Sequence, residues 1–262
     1  MDLGLTDRIA IVTGGNRGIG YAISAELLAE GAHVVVASLD PARNAQAIDK
    51  LKAIKNARVI GVPTDLNDPA AVASLFKTTL AEFGRLDILV NNATNVSQGG
   101  FFAMTEETWD HAFDHKLRGT IRCIQHAVPA MRERKWGRII NIAGGAAWAP
   151  QLGAITTGLN NAAVMNLTVA LANELGKDGI LVNAIVPTAV RTERHDQNIR
   201  EAMRQTGKSE AEVLKPRVAK IPLGRMGASE EIAAVVAFLA SERASFVTGS
   251  AWPVDGGVSA RL

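Results

Sequence analysis

The run Thr13-Gly14-Gly15-Asn16-Arg17-Gly18-Ile19-Gly20 has the spacing G-x-x-x-G-x-G. Glycines at such positions let a backbone turn tightly and come close to a pyrophosphate. A helix opening at the last of them supplies free N–H donors and a partial positive charge. The chemistry implied is dinucleotide binding, provided that a strand precedes the run and a helix follows it. Arg17 is either a phosphate partner, for which its geometry is suited, or an exposed loop cation. Other reactive side chains are sparse. The single tyrosine, Tyr21, lies just beyond the loop and reads as helix packing, and the single cysteine, Cys123, has no partner for a disulfide. His111 and His115 share a helix face at i and i+4, a spacing that can bind zinc. No third ligand stands at a workable spacing, so no metal site is expected.

These residues need elements to hold them. Short apolar runs at 8–13, 33–38, 58–63, 86–91, 137–142, 181–185 and 250–254 read as strands. The run 33–38 is continuously apolar, as when both faces of a strand are buried. Between the strands lie helical patterns at 19–30, 105–134, 157–175 and from Ser229, read as an N-cap, to 239. A further helix opens at Asp68-Pro69, an N-cap followed by proline at the first helical position, and runs to Phe83. Alternation of this kind predicts right-handed βαβ units and a parallel, doubly wound α/β sheet. The segment 187–222 is polar, basic and irregular, and it follows a strand. It is read as a lid over a site at the strand ends.

Of the 262 residues, 47% are hydrophobic and the net charge is +2. That allows a large core, and it argues against a dedicated nucleic-acid or membrane surface. No apolar run reaches the ~20 residues needed to span a bilayer, and Asp2, Asp7 and Arg8 rule out an apolar secretory segment at the start. The expected setting is the reducing cytoplasm.

Beyond the glycine loop, the chain carries Thr64-Asp65-Leu66, Asp-Ile-Leu-Val-Asn-Asn-Ala at 87–93, Gly-Arg-Ile-Ile-Asn-Ile at 137–142, Val182-Asn183-Ala184, Pro187 with Arg191-Thr192-Glu193, Pro-Leu-Gly-Arg-Met-Gly at 222–227, and Val-Asp-Gly-Gly at 254–257. With these motifs the chain resembles the short-chain dehydrogenase/reductase family nearly end to end. The resemblance implies a single doubly wound Rossmann-like domain over 1–262, with a parallel sheet of about seven strands. It also implies a homodimer or homotetramer through 105–134 and 157–175. Gly14, Asn16, Arg17, Gly18, Ile19 and Gly20 would hold the pyrophosphate side. Asp65 and Leu66 would border the adenine, Asn92 and Ala93 would line the cleft, and Pro187, Val190 and Thr192 would hold the nicotinamide. Thr94 and Thr188 stand where the family usually has glycine. An acidic residue closing the second strand favours NAD, because it accepts from the ribose 2′-OH. Here that position is neutral Ser38, so with Arg17 nearby the cofactor is read as NADP. NAD stays open because Asp40 follows two residues later and Leu39 stands in for the family's second arginine.

The resemblance also implies an Asn, Ser, Tyr, Lys catalytic set. In its register these positions are Lys116, Gly144, Thr157 and Asn161, so all four depart from the pattern. A tyrosine hydroxyl beside an ammonium can donate a proton near neutral pH, whereas a threonine hydroxyl does not ionise in that range. Lysine and asparagine have exchanged places, at 116 and 161. Either the ammonium–amide pair survives with its partners swapped and a buried Lys116 acts as acid or base, or Lys116 snorkels to solvent. Two functions follow. The first is an NADP-dependent oxidoreductase on a small carbonyl or alcohol, with Lys116, a water, Thr157 and Asn161 sharing the proton relay. The second is a dinucleotide-binding protein without redox turnover, of lyase, isomerase or non-catalytic type. Phe101, Phe102, Met104, Trp148 and Leu152 form a substrate wall or ordinary core, and Asn95, Gln98 and Gln151 are candidate polar contacts.

Overall fold

The computed structural model describes residues 2–54, 56, 58–94, 100–150 and 152–259. Seven strands form one parallel sheet: β1 (Ile9–Thr13), β2 (His33–Ser38), β3 (Val59–Pro63), β4 (Ile88–Asn91), β5 (Gly137–Ile142), β6 (Ile180–Pro187) and β7 (Ala251–Val254), in the order β3-β2-β1-β4-β5-β6-β7. Side chains alternate across each strand, so both faces of the sheet are apolar. Ala10 and Val12 of β1 pack in the layer of α1 (Gly18–Ala29), α2 (Pro41–Leu51) and α9 (Ser229–Ala240). Ile11 packs on the opposite side with α3 (Pro69–Phe83), α5 (Gly119–Glu133) and α6 (Ile155–Leu175). The winding reverses between β1 and β4. The loops leaving these two strands diverge there and open a crevice at their carboxyl ends.

Three expectations change. The helix expected over 105–134 is two helices, α4 (Glu106–Phe113) and α5, joined by a π turn at Asp114–Arg118. A π turn adds one residue to the helical ladder, and such bulges are frequent at functional sites. The segment 187–222 is largely helical, with α7 (Glu193–Thr206) and α8 (Glu210–Val218). Ser209 and Glu212 form a capping box at the start of α8, a signal present in the sequence. Ser229 is the first residue of α9 rather than its N-cap; Glu231 Oε2 instead accepts from the Ala228 N–H at 2.8 Å. Helix α2 went unread, although Asp40-Pro41 repeats the start of α3: Asp40 accepts from Arg43 N at 3.0 Å.

Candidate functional site

The crevice beside the glycine loop has a volume of about 690 Å³. Of the residues the sequence reading assigned to the cofactor, Gly14, Asn16, Arg17, Gly18, Ile19, Gly20, Ser38, Asp65, Leu66, Asn92, Ala93 and Thr192 all line it. The loop is built from glycine for steric reasons. A Cβ on Gly20 would stand 2.2 Å from the Gly14 carbonyl oxygen, and Gly14 and Gly18 have φ of +64° and +52°. Helix α1 opens at Gly18 with no side-chain cap from Arg17, so its first N–H groups face the crevice. Thr13 ties the loop to β4: its Oγ1 accepts from Asn92 N at 3.0 Å and Ala93 N at 3.1 Å. Asn92 Nδ2 donates to Thr13 O at 2.9 Å. The residues fit a dinucleotide pyrophosphate laid across an uncapped helix start.

At the ribose end, Asn16 Nδ2 donates to Ser38 Oγ at 2.6 Å and Ser38 Oγ in turn bonds Asn44 Oδ1. This chain fixes the end of β2 without a carboxylate. Asp40 is occupied in capping α2, and Arg43, one turn into that helix, lines the crevice together with Arg17. Arg43 was missed because α2 was missed. His115, Thr64 and Asn67 line the same crevice. Burial, then the neighbouring His111, holds the His115 pKa below the ordinary histidine range. Among the described residues no three potential ligands cluster around a metal position. Burial pushes the Cys123 thiol up to about 12, so it is inert packing.

Lys116 sits in the π turn and is only 5% exposed, which removes the snorkelling alternative. Its Nζ donates to Ile142 O at 2.7 Å and to Ala93 O at 3.4 Å. Burial alone lowers its pKa to about 8, with no carboxylate to oppose the shift. Arg122 braces the turn, bonding Asp114 Oδ1 at 2.7 Å and Leu66 O at 2.9 Å. Asn160 Nδ2 ties α6 to α4 through Ala112 O at 3.2 Å. Beneath them, Asn141 accepts from Asn91 Nδ2 and donates to Thr168 Oγ1, both at 2.9 Å.

Thr157, half-buried, and Asn161, 6% exposed, lie on the first two turns of α6. A Cβ on Gly144 would stand 2.9 Å from Asn161 Nδ2. Neither Thr157 nor Asn161 lines the dinucleotide crevice, and neither do Lys116, Pro187 and Val190; Val190 packs into the core. Thr192 caps α7, accepting from His195 N at 3.3 Å. Its Cβ stands 3.6 Å from where a Cβ on Gly18 would be, so α7 begins opposite the glycine loop. Phe101 and Phe102 are exposed rather than core. They continue into a row of ring contacts through Trp109 to Phe113, with centroids 5.2, 6.0 and 5.8 Å apart. Leu152 is fully exposed. Asn95, Gln98 and Gln151 lie outside the described residues.

Comparison with known proteins gives a consistent result. A family model described as enoyl-(acyl carrier protein) reductase matches residues 14–259. The chain is 34% identical over 257 residues to the (2S)-[(R)-hydroxy(phenyl)methyl]succinyl-CoA dehydrogenase subunit BbsD of Thauera aromatica, covering 98% of each chain. It is 31% identical over 261 residues to the NADPH-dependent reductase BacG of Bacillus subtilis, covering 97% of this chain and 98% of that protein. Among solved structures, L-sorbose reductase from Gluconobacter frateurii, complexed with NADPH and L-sorbose, superposes with a TM-score of 0.97 at 33% identity, covering 100% of both chains.

Proposed function

The chain belongs to the short-chain dehydrogenase/reductase family, and from that premise we propose that it is an oxidoreductase for a small carbonyl or alcohol in which Lys116 serves as the proton donor. Its cofactor is NADP(H). A neutral Ser38 ends the second strand, Arg17 and Arg43 line the same crevice, and the structurally similar sorbose reductase was solved with NADPH. The single observation that carries the reading is the buried Lys116 ammonium, anchored at a strand end by two carbonyls with its pKa lowered to about 8. An acid works best when its pKa lies near the working pH.

NADPH, when bound, supplies a hydride to the carbonyl carbon. The protein must then hold the substrate oxygen and protonate it. Ile142 O and Ala93 O take two of the three ammonium protons. The third N–H is directed through a water to the substrate oxygen, while Thr157 and Asn161 donate hydrogen bonds to it. Having given its proton, Lys116 is a neutral amine and regains a proton from solvent. Alcohol oxidation runs the same steps in reverse. Cytoplasmic placement and a homodimer or homotetramer through α5 and α6 belong to the same reading; Leu159 and Val169 stand exposed on α6.

The exchange of all four positions in the family register favours a second reading, dinucleotide binding without redox turnover. Titration with NADPH and NADH by fluorescence, followed by a panel of ketones and aldehydes monitored at 340 nm, separates the two. Tight NADPH binding with oxidation of at least one carbonyl's worth of cofactor supports the first. Binding without any oxidation across the panel leaves the second, and failure to bind either dinucleotide removes both.

A further inference from the structure

We infer that Thr188 supplies the hydroxyl that holds the substrate oxygen over the Gly144–Gly145 turn, a donor that the turn itself lacks. The inference rests on the oxidoreductase reading above.

The turn leaving β5 runs through Ala143 and Gly144 into a short 3-10 segment at Gly145–Ala147. Neither glycine has a side chain, and the space each would fill is taken by a polar group from elsewhere. Asn161 Nδ2, from α6, stands 2.9 Å from a Cβ built on Gly144. Thr188 Oγ1, from the end of β6, stands 2.3 Å from a Cβ built on Gly145, and the Thr188 Cγ2 stands 3.5 Å from it. With Lys116 Nζ on the carbonyl of Ile142, three polar groups from three elements converge on residues 142–145.

The Thr188 hydroxyl is buried and has no hydrogen-bond partner in the described structure. A buried hydroxyl in a native protein nearly always finds a partner, so an unsatisfied one calls for a partner that the described residues do not supply. Shape does not explain it, because valine would fill the same volume without the hydroxyl. The backbone, in contrast, is held in place at some cost. Ala189 adopts φ +54°, a left-handed conformation that a residue with a Cβ rarely takes. Gly227 fixes it, donating its N–H to Ala189 O at 3.1 Å while its own carbonyl accepts from Arg191 N at 2.8 Å. Strain of this kind persists where surrounding bonds enforce it, and it clusters at functional sites. The turn at Ala189 lets the Thr188 side chain pack over the end of β5.

Reduction of a carbonyl places negative charge on its oxygen, and fixed donors aimed at that oxygen lower the barrier. Thr188 donates and does not ionise, so it holds the oxygen while Lys116 provides the proton.

The test compares wild type with Thr188→Val and Thr188→Ser. The probes are NADPH, isobutyramide (a carbonyl that cannot be reduced under these conditions) and 2,3-butanedione as a reducible substrate. NADPH affinity should be unchanged in both variants. Isobutyramide binding to the NADPH complex, and kcat/KM for 2,3-butanedione, should each fall about tenfold in Thr188→Val and stay near wild type in Thr188→Ser. Wild-type values in Thr188→Val overturn the inference, as does a loss of NADPH affinity in that variant, which would make Thr188 a cofactor-packing residue. A wild-type NADPH complex that neither binds isobutyramide nor oxidises NADPH with any carbonyl of the panel removes the oxidoreductase reading, and this inference with it. A wild type that does either, matched by its Thr188→Val variant, removes the role of Thr188 alone.

Discussion

Lys116 and Asn161 meet at the same strand end: Lys116 Nζ donates to the Ile142 carbonyl at 2.7 Å, and Asn161 Nδ2 lies 2.9 Å from where a Cβ on Gly144, two residues further on, would stand. Both side chains therefore come to the tip of β5 instead of lying scattered over the surface. An ammonium buried without a carboxylate is costly, and the lowered pKa that results is what the proposed proton-transfer role would use.

The cost of burying Lys116 makes stability depend on pH. Its pKa is about 8 in the folded protein against 10.5 for the ordinary side chain. Below pH 8 both folded and unfolded states carry the proton, and the burial penalty of up to about 3 kcal/mol is fully present. Between pH 8 and 10.5 the folded protein binds fewer protons than the unfolded chain, so stability from this group rises. Urea unfolding of wild type and Lys116→Met at pH 7, 9 and 10 should show wild type gaining on the variant as pH increases. Parallel curves across that range would show that Lys116 titrates normally.

Lys116→Met should lower the rate of carbonyl reduction by about 10²-fold or more, with NADPH affinity retained. In wild type the same rate should decline above pH 8, because the reduction needs the ammonium form. A rate that stays flat to pH 9.5 would exclude Lys116 as the acid.

In the register the resemblance implies, installing the family's tyrosine and lysine takes three changes. Thr157→Tyr with Asn161→Lys sets a second ammonium near the strand end that Lys116 already occupies, and like charges there disfavour both protonated forms. Adding Lys116→Asn relieves this. The triple variant should reduce 2,3-butanedione at least about tenfold faster than the double. Equal rates would mean that Lys116 and residue 161 do not interact.

Arg43 and Arg17 line the crevice beside the end of β2, which closes on Ser38 rather than a carboxylate. Arg43→Ala should weaken NADPH binding about five- to tenfold and leave NADH binding unchanged, as the loss of one charge-assisted phosphate contact predicts. Fluorescence titration with both dinucleotides reads this directly. Equal weakening of the two would assign Arg43 to the structure of α2.

Trp136 tests the fold separately from the site. Arg8 and Arg138 stack on its ring at 3.7 and 4.2 Å, and its Nε1 donates to Glu242 Oε1 at 2.8 Å. It precedes β5, at the end of the sheet away from the crevice. Trp136→Ala should cost about 2–4 kcal/mol in thermal or urea unfolding. The NADPH affinity of the folded fraction should not change; a parallel loss of affinity would mean that the two ends of the sheet are coupled.

The sequence by itself determined the parallel sheet and the crevice. The apolar runs around Val12 and Val35 are short and β-branched, the patterns between them are helical, and the glycines at 14, 18 and 20 have the G-x-x-x-G-x-G spacing. These are local signals, carried by residues a few positions apart. Asp40-Pro41 was equally local, and Arg43 was legible in it as a residue one turn into a helix. The tertiary structure alone decided the fate of Lys116. Its burial depends on a π turn that the 3.6-residue pattern of 105–134 does not encode, and on carbonyls at Ala93 and Ile142 brought to it by neighbouring strands. It also decided that Asn161 and Thr188 cover Gly144 and Gly145. Those contacts join residues far apart in the chain, and periodicity carries no information about which distant side chain fills the space a glycine leaves.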